Sequence, residues 1–225
     1  MVKGGLVMKA REALCWLLAA MMSAVVSPAI AQNQKEALSP AYGETEIREF
    51  QGRKLAPFDR DYDNSIKGPQ QVDRRSLRLK VTGLVDKPLS LTYEEVLALP
   101  QARRVVNMPC VEGWDELLLV DGVRVADLLA RAGVRSEAKV IIFQAADGYT
   151  SAHDLDYLQK SDALLAFKIN GRILDAKRGF PFQLVAEKKL GYKWVKWVTA
   201  IEVSDKPHLG FWESRGFGDE ADTTR

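Results

Sequence analysis

The 225-residue chain carries 32 Lys and Arg against 30 Asp and Glu, with 47% apolar and 28% charged residues. This is an ordinary globular composition, which excludes a disordered, fibrous or low-complexity protein. A formal net charge of +2 gives no bulk support to nucleic-acid binding, so none is expected.

In chain order, residues 1–31 read as a secretory signal peptide. Lys3, Lys9 and Arg11 precede the apolar run Ala13–Val26, and Ala29-Ile30-Ala31 forms a small-x-small cleavage pattern before Gln32. The run of 14 residues falls short of the ~20 needed to cross a bilayer. After cleavage no transmembrane segment is expected and the product is exported. A lipoprotein is disfavoured, because Glu12 stands where an aliphatic residue should precede Cys15. Removing these residues takes away three cations and one carboxylate, leaving 29 of each sign and a single cysteine, Cys110. No internal disulfide is then possible. Oxidising compartments favour paired cysteines, so a lone thiol calls for an explanation.

Residues 32–75 read as an irregular lead that wraps the domain or lines a site, with 32–45 the part best suited to a tether. A domain over 76–217 and a C-terminal tail over 218–225 follow. Leu77, Leu79 and Val81 alternate with polar residues, predicting a half-buried strand. Thr92-Tyr93-Glu94-Glu95 is a capping box that opens a short helix, ended by Pro100. Arg103–Met108 predicts a strand running into Pro109-Cys110. Val125–Ala132 predicts a helix stopped by Gly133, and Lys139–Phe143 a buried strand. Asn170-Gly171 signals a two-residue hairpin within Phe167–Leu174. Phe182–Ala186 and Trp194–Val203 complete the β runs. Short strands with two or three short helices and no repeat predict one α+β, strand-rich domain.

Cys110 sits in Asn107-Met108-Pro109-Cys110-Val111-Glu112-Gly113-Trp114, directly after a strand, where Pro and Gly suggest a tight turn presenting the thiol. A packed small hydrophobe is the plain reading. Three chemical readings compete with it. One is a nucleophile with His153 or His208 as base. Another is a two-His, one-Cys copper site. The third is thiolate ligation of a soft metal whose other donors come from a cofactor. Zinc is disfavoured by the spacing. Within Lys177–Lys196 lie six cations: Lys177, Arg178, Lys188, Lys189, Lys193 and Lys196. Gly179 and Gly191 would let backbone N–H groups approach an anion, so the segment suggests a phosphate-bearing ligand. A protected hairpin edge explains Lys188 and Lys189 as well. Lys193 and Lys196, three apart in the expected strand, face opposite sides, so one should point inward and find a partner. Asp147-Gly148-Tyr149-Thr150 places an aromatic hydroxyl at a strand–loop boundary.

Together these segments resemble the molybdopterin-dependent sulfite oxidase family. The nearer likeness is to its bacterial exported branch, which includes the catalytic subunit of periplasmic protein-methionine-sulfoxide reductase. The likeness is carried by Cys110–Trp114, Ala145–Thr150, Asn170-Gly171, Gly179-Phe180-Pro181, Gly191–Trp197 and Gly210–Gly216, with Asp63–Gln70 and Leu79–Pro100 upstream. The resemblance implies a molybdenum–molybdopterin cofactor with one pyranopterin, and Cys110 as the thiolate ligand of the metal. It implies cofactor contacts from Gly191, Tyr192, Lys193 and Lys196, with Lys193 and Arg178 helping to hold the terminal phosphate. It adds an upstream contact from Asn64, Ser65 and Ile66. Tyr149 would stand beside the metal, holding or protonating substrate. A small sulfur or nitrogen compound as substrate, a periplasmic location, and electrons exchanged with a separate carrier such as a membrane haem protein or a cytochrome are also implied. The chain departs from the family in Arg178, where His or Asn is usual, and in Gln183, where Arg is usual. It has no Cys-Ala-Gly-Asn-Arg motif, which points away from sulfite. Residues 1–12 hold no Arg-Arg pair, so export of apoprotein, export with a partner and loss of the cofactor all stay open. The alternative is a non-catalytic protein that keeps the fold and binds pterin or a partner.

Overall fold

A computed structural model describes residues 45–59 and 64–223. The expected signal peptide and all of the expected tether except Thr45 lie outside the described residues. Residues 44–225 form one compact unit, and its described part is strand-rich. Among the described residues no helix is long and apolar enough to cross a membrane.

The lead opens with a two-stranded ribbon, β1 (Glu49–Phe50) and β2 (Arg53–Lys54). Then come β3 (Leu79–Gly83), β4 (Leu89–Leu91), α1 (Tyr93–Leu97), β5 (Gln101–Pro109), β6 (Asp115–Arg124) and α2 (Val125–Ala132). After these follow β7 (Val140–Ala145), β8 (Thr150–Asp154), α3 (Leu155–Lys160), β9 (Leu164–Ile169), β10 (Arg172–Ile173), β11 (Gln183–Val185) and β12 (Val198–Ser204). One sheet runs β10-β9-β6-β5, with β11 also on β9; the other runs β4-β3-β12-β7-β8. All pairs are antiparallel except β3 with β12. A single apolar cluster draws on both sheets, including Phe58, Val81, Val120, Leu128, Phe143, Leu165 and Phe182.

Local chemistry explains most of these elements. Thr92 caps α1 with both bonds of the capping box in place, Glu95 N to Thr92 Oγ1 and Thr92 N to Glu95 Oε2. Gly133 ends α2 in the left-handed region at φ 70°, a conformation that suits glycine. Asn170 and Gly171 turn β9 into β10 with φ 51° and 80°, the two positive angles a tight hairpin needs. Asn170 also reaches outward. Its Oδ1 accepts from Leu119 N at 2.9 Å and its Nδ2 donates to Ala56 O at 2.7 Å. Residues 45–58 are thereby tied to β6, with Phe58 and Leu55 buried.

Elements beyond the expected ones are β1 and β2 in the lead, β4, β6, β8 and α3. β6 is central in its sheet, and Leu118–Val123 is buried without interruption, so the alternation that marks a half-buried strand is missing. The strand expected from Leu77 begins at Leu79, because Leu77 N bonds back to Asp73 O at 3.0 Å in a turn. The strand expected over Trp194–Val203 begins only at Val198. Before it, Gly191–Lys193 forms a 3₁₀ turn, and Trp197 lies at φ 53°. Its amide donates to Gly179 O and its indole N–H to Ala176 O. Those two bonds hold a bulky residue in a conformation that a regular strand does not use. Residues 218–223 pack on the domain, with Ala221 buried.

Candidate functional site

The β5–β6 hairpin closes over five residues, Cys110–Trp114, and brings the cysteine into the wall of a cavity of about 570 Å³. Cys110 N donates to Trp114 O at 2.8 Å and Gly113 N to Cys110 O at 3.2 Å. Gly113, at φ 88°, supplies the left-handed residue of this tight loop. Cys110 is half-buried. Its sulfur lies 3.9 Å from Glu112 Oε2, the atom that also accepts from Trp114 Nε1 at 2.8 Å. A carboxylate is thus fixed beside the thiol. Glu112 is not among the residues expected from the sequence; a carboxylate two positions after the cysteine, inside the same turn, is the available signal.

Five further segments complete the wall. The lead contributes Phe58, Asn64, Ser65 and Ile66; the β7–β8 turn contributes Asp147 and Tyr149; the segment after β10 contributes Lys177 and Arg178. Gly191, Tyr192 and Lys196 line the cavity from the stretch before β12, and Trp212 and Phe217 from near the C-terminus. Asn64, Ser65, Ile66, Cys110, Tyr149, Arg178, Gly191, Tyr192 and Lys196 therefore meet around one space although they span 133 positions of the chain.

Tyr149 is set by an Asx turn, in which Asp147 Oδ1 accepts its amide at 2.9 Å. Its hydroxyl donates to Tyr192 O at 2.6 Å. Burial, then the negative charge of Glu213, raises its pKa above the ordinary tyrosine value, so the phenol keeps its proton. Gly179, at φ 98°, lets Lys196 pack close, since a Cβ there would lie 3.0 Å from Lys196 Cβ. A Cβ on Gly191 would lie 3.4 Å from Pro109 O, an ordinary contact distance that places this backbone beside the end of β5. Lys196 holds its ammonium 4.6 Å from the Trp197 ring centre.

Lys193 does not line this cavity. It is buried at 1% exposure, with its ammonium 2.9 Å from Glu213 Oε1 and 3.3 Å from Asp219 Oδ1. The inward lysine with a partner does exist, but it sits in a 3₁₀ turn and faces away from the ligand space. Arg178 does line the cavity, yet its guanidinium donates to the carbonyls of Pro57 and Phe58 and lies 3.5 Å from Glu116. It pins the lead to the wall. Lys189 is likewise buried, held by Glu220 and Asp222. Of the six clustered cations, Lys177, Arg178 and Lys196 line the cavity; Lys188, Lys189 and Lys193 do not.

Neither histidine lines it either. His153 is buried against Lys193 O at 3.1 Å and His208 pairs with Thr150 at 2.9 Å, so neither is placed as a base for Cys110. Among the described residues no three His, Cys, Asp or Glu are grouped to hold a metal ion. A metal at Cys110 would need its remaining donors from a non-protein group. The soft sulfur of Cys110, the cavity and the lining cations are the features that such a group with a phosphate would require.

Comparison with known proteins gives these features a context. Residues 66–212 match the family of the oxidoreductase molybdopterin binding domain. The chain is 37% identical over 150 residues to an uncharacterized oxidoreductase of Bacillus subtilis, covering 66% of this chain and 76% of that one. It is 27% identical over 174 residues to the protein-methionine-sulfoxide reductase catalytic subunit of Campylobacter jejuni, covering 70% of this chain and 59% of that one. Among solved structures, the sulfane dehydrogenase SoxCD from Paracoccus pantotrophus aligns with a TM-score of 0.61 and 27% identity. That alignment takes in 64% of this chain and 42% of the other.

Proposed function

The chain belongs to the oxidoreductase molybdopterin binding domain family, and from that premise we propose that it is an exported, periplasmic enzyme. It transfers an oxygen atom to or from a small sulfur or nitrogen compound and exchanges electrons with a separate carrier, such as a membrane haem protein or a cytochrome. The observation that carries this reading is the half-buried Cys110 in the wall of a cavity of about 570 Å³ that Lys177, Arg178 and Lys196 also line. When bound, the cofactor supplies a two-electron centre able to exchange an oxygen atom with substrate.

The protein's own residues supply the setting. Cys110 offers one soft thiolate. Asn64, Ser65, Ile66, Gly191, Tyr192 and Lys196 line the cavity that would hold the pyranopterin, and Lys177 and Lys196 are the lining lysines that would meet its phosphate. Arg178 contributes by holding the lead in place. Tyr149, kept protonated, orients the Tyr192 carbonyl and presents a polar edge near substrate. Trp212 and Phe217 give the mouth an aromatic side that excludes water. The Campylobacter jejuni relative is named for protein-methionine-sulfoxide reduction, which makes methionine sulfoxide the first substrate to try.

The test is elemental and pterin analysis of protein purified from its native host, with a dye-linked substrate screen. About one molybdenum per chain, lost in Cys110→Ser, is the expected result. Only trace molybdenum in a fully folded chain would overturn the enzyme reading.

A further inference from the structure

Behind the cavity wall lies a buried charged cluster that no motif announces. Glu213, whose carboxylate side chain is fully buried, accepts at Oε1 from Lys193 Nζ at 2.9 Å and from Ser151 Oγ at 2.5 Å. Asp219 takes a second contact of the same ammonium at 3.3 Å. Ser151 lies on β8, two residues after Tyr149, whose hydroxyl bonds Tyr192 O; His153, two further on, bonds Lys193 O. The loop before Glu213 is fitted to this purpose. A Cβ on Gly210 would stand 2.3 Å from Thr150 O and 2.6 Å from Glu213 Oε2, so only glycine lets the chain approach β8 closely enough to bring Glu213 in.

The C-terminal segment grips the same turn. Tyr192 donates its hydroxyl to Gly218 O at 2.5 Å, Leu190 N donates to Ala221 O at 2.9 Å and Thr223 N to Lys188 O at 2.8 Å. Lys189 Nζ reaches Glu220 O and Asp222, each at 2.7 Å. Gly191 and Tyr192, the residues of this stretch that face the cavity, are thus flanked by anchors on either side.

Burying an ammonium is costly unless it is paired, and here none of the pairing partners Glu213, Ser151 and Asp219 lines the cavity. We propose that Lys193 is a positioning residue: through Glu213, Ser151 and Asp219 it fixes the Gly191–Tyr192 backbone that borders the ligand space, and its own charge does not reach the cofactor. This rests on the cofactor reading above.

The experiment measures molybdenum and pterin per folded chain together with the melting temperature. Wild-type protein is assayed first; if it carries no cofactor, the functional proposal fails and this one is not what failed. Lys193→Met strands the Glu213 carboxylate in the interior, and cofactor content should fall at least about tenfold, the equivalent of 1.4 kcal/mol. Combining Lys193→Met with Glu213→Leu and Ser151→Ala removes both charges and the hydroxyl that would lose its acceptor. Apolar replacement of a buried pair is often tolerated, so the triple variant should regain cofactor to within about twofold of wild type. A triple variant that folds and melts like wild type yet stays depleted would overturn the proposal, because the lysine charge itself would then be the ligand. Should the triple variant not fold, Asp219→Asn decides. That half-exposed partner should speed cofactor release about two- to fivefold without lowering the melting temperature of the cofactor-free chain. An unchanged release rate would overturn the proposal.

Discussion

Two stretches meet at the cavity and are held in opposite ways. Cys110–Trp114 is closed by its own bonds, backbone to backbone and Trp114 to Glu112, all within five residues. The 188–193 turn has local bonds, Lys193 N to Leu190 O and Trp194 N to Gly191 O among them, but its side chains and outer carbonyls are held from elsewhere, by β8, Glu213 and the segment 218–223. Presentation of the thiol is therefore a local property, whereas the neighbouring wall depends on the finished fold. Changes in the loop should alter chemistry and spare stability; changes behind the turn should alter both.

The sharpest break of this contrast is Cys110→Ser. Molybdenum content and dye-linked turnover should fall to background while the melting temperature of the cofactor-free chain moves by less than about 2 °C, since a near-isosteric change at a half-exposed loop is worth about 0.5 kcal/mol or less. Calorimetry beside elemental analysis checks it, and a large drop in melting temperature would show that the loop is not self-sufficient.

Asn170→Ala is the converse, a fold change away from the cavity. It removes two hydrogen bonds in the interior and puts Ala at φ 51°, so urea unfolding should show a loss of about 3 kcal/mol. Cofactor per folded chain should hold.

Acid should separate the two stretches more gently. Burial, then the nearby Lys193 charge, lowers the pKa of His153 to about 3, against about 6.5 in the unfolded chain. Between those values the unfolded state binds the extra proton, so stability should decline as pH falls from about 6.5 towards 3. Urea midpoints across that range should flatten in His153→Leu; an unchanged slope would place the acid sensitivity elsewhere.

The smallest effect is Thr92→Ala, which deletes the α1 cap far along the chain from both stretches. A loss of about 1 kcal/mol is expected, with cofactor content unaltered.

Local signals were readable wherever a residue's neighbours in sequence decide its conformation. The α1 capping box, the Gly133 stop and the Asn170-Gly171 turn all depend on bonds or angles within a few positions, and all three form as expected. Cys110 after a strand, between Pro109 and Gly113, belongs to the same kind. β6 was hidden because a strand covered on both faces has no alternation to display. The role of Lys193 was hidden for a different reason: its partners lie 20 and 26 positions later, and nothing near Lys193 distinguishes it from Lys196.

By itself, then, the amino-acid order determined a strand-rich α+β domain, a tight loop offering one thiol, and a stretch of cations interleaved with glycines. Which cations face the ligand space and which are locked behind it was decided only by tertiary structure. A side chain's direction follows from the backbone turn it sits on, and the charge it meets is brought by segments distant in the chain. Trp197, turned into the left-handed region by its bonds to Gly179 and Ala176, interrupts the strand, and Glu213 is drawn in over Gly210. Long-range hydrogen bonds and desolvated charge pairing set both, and neither leaves a local pattern to read.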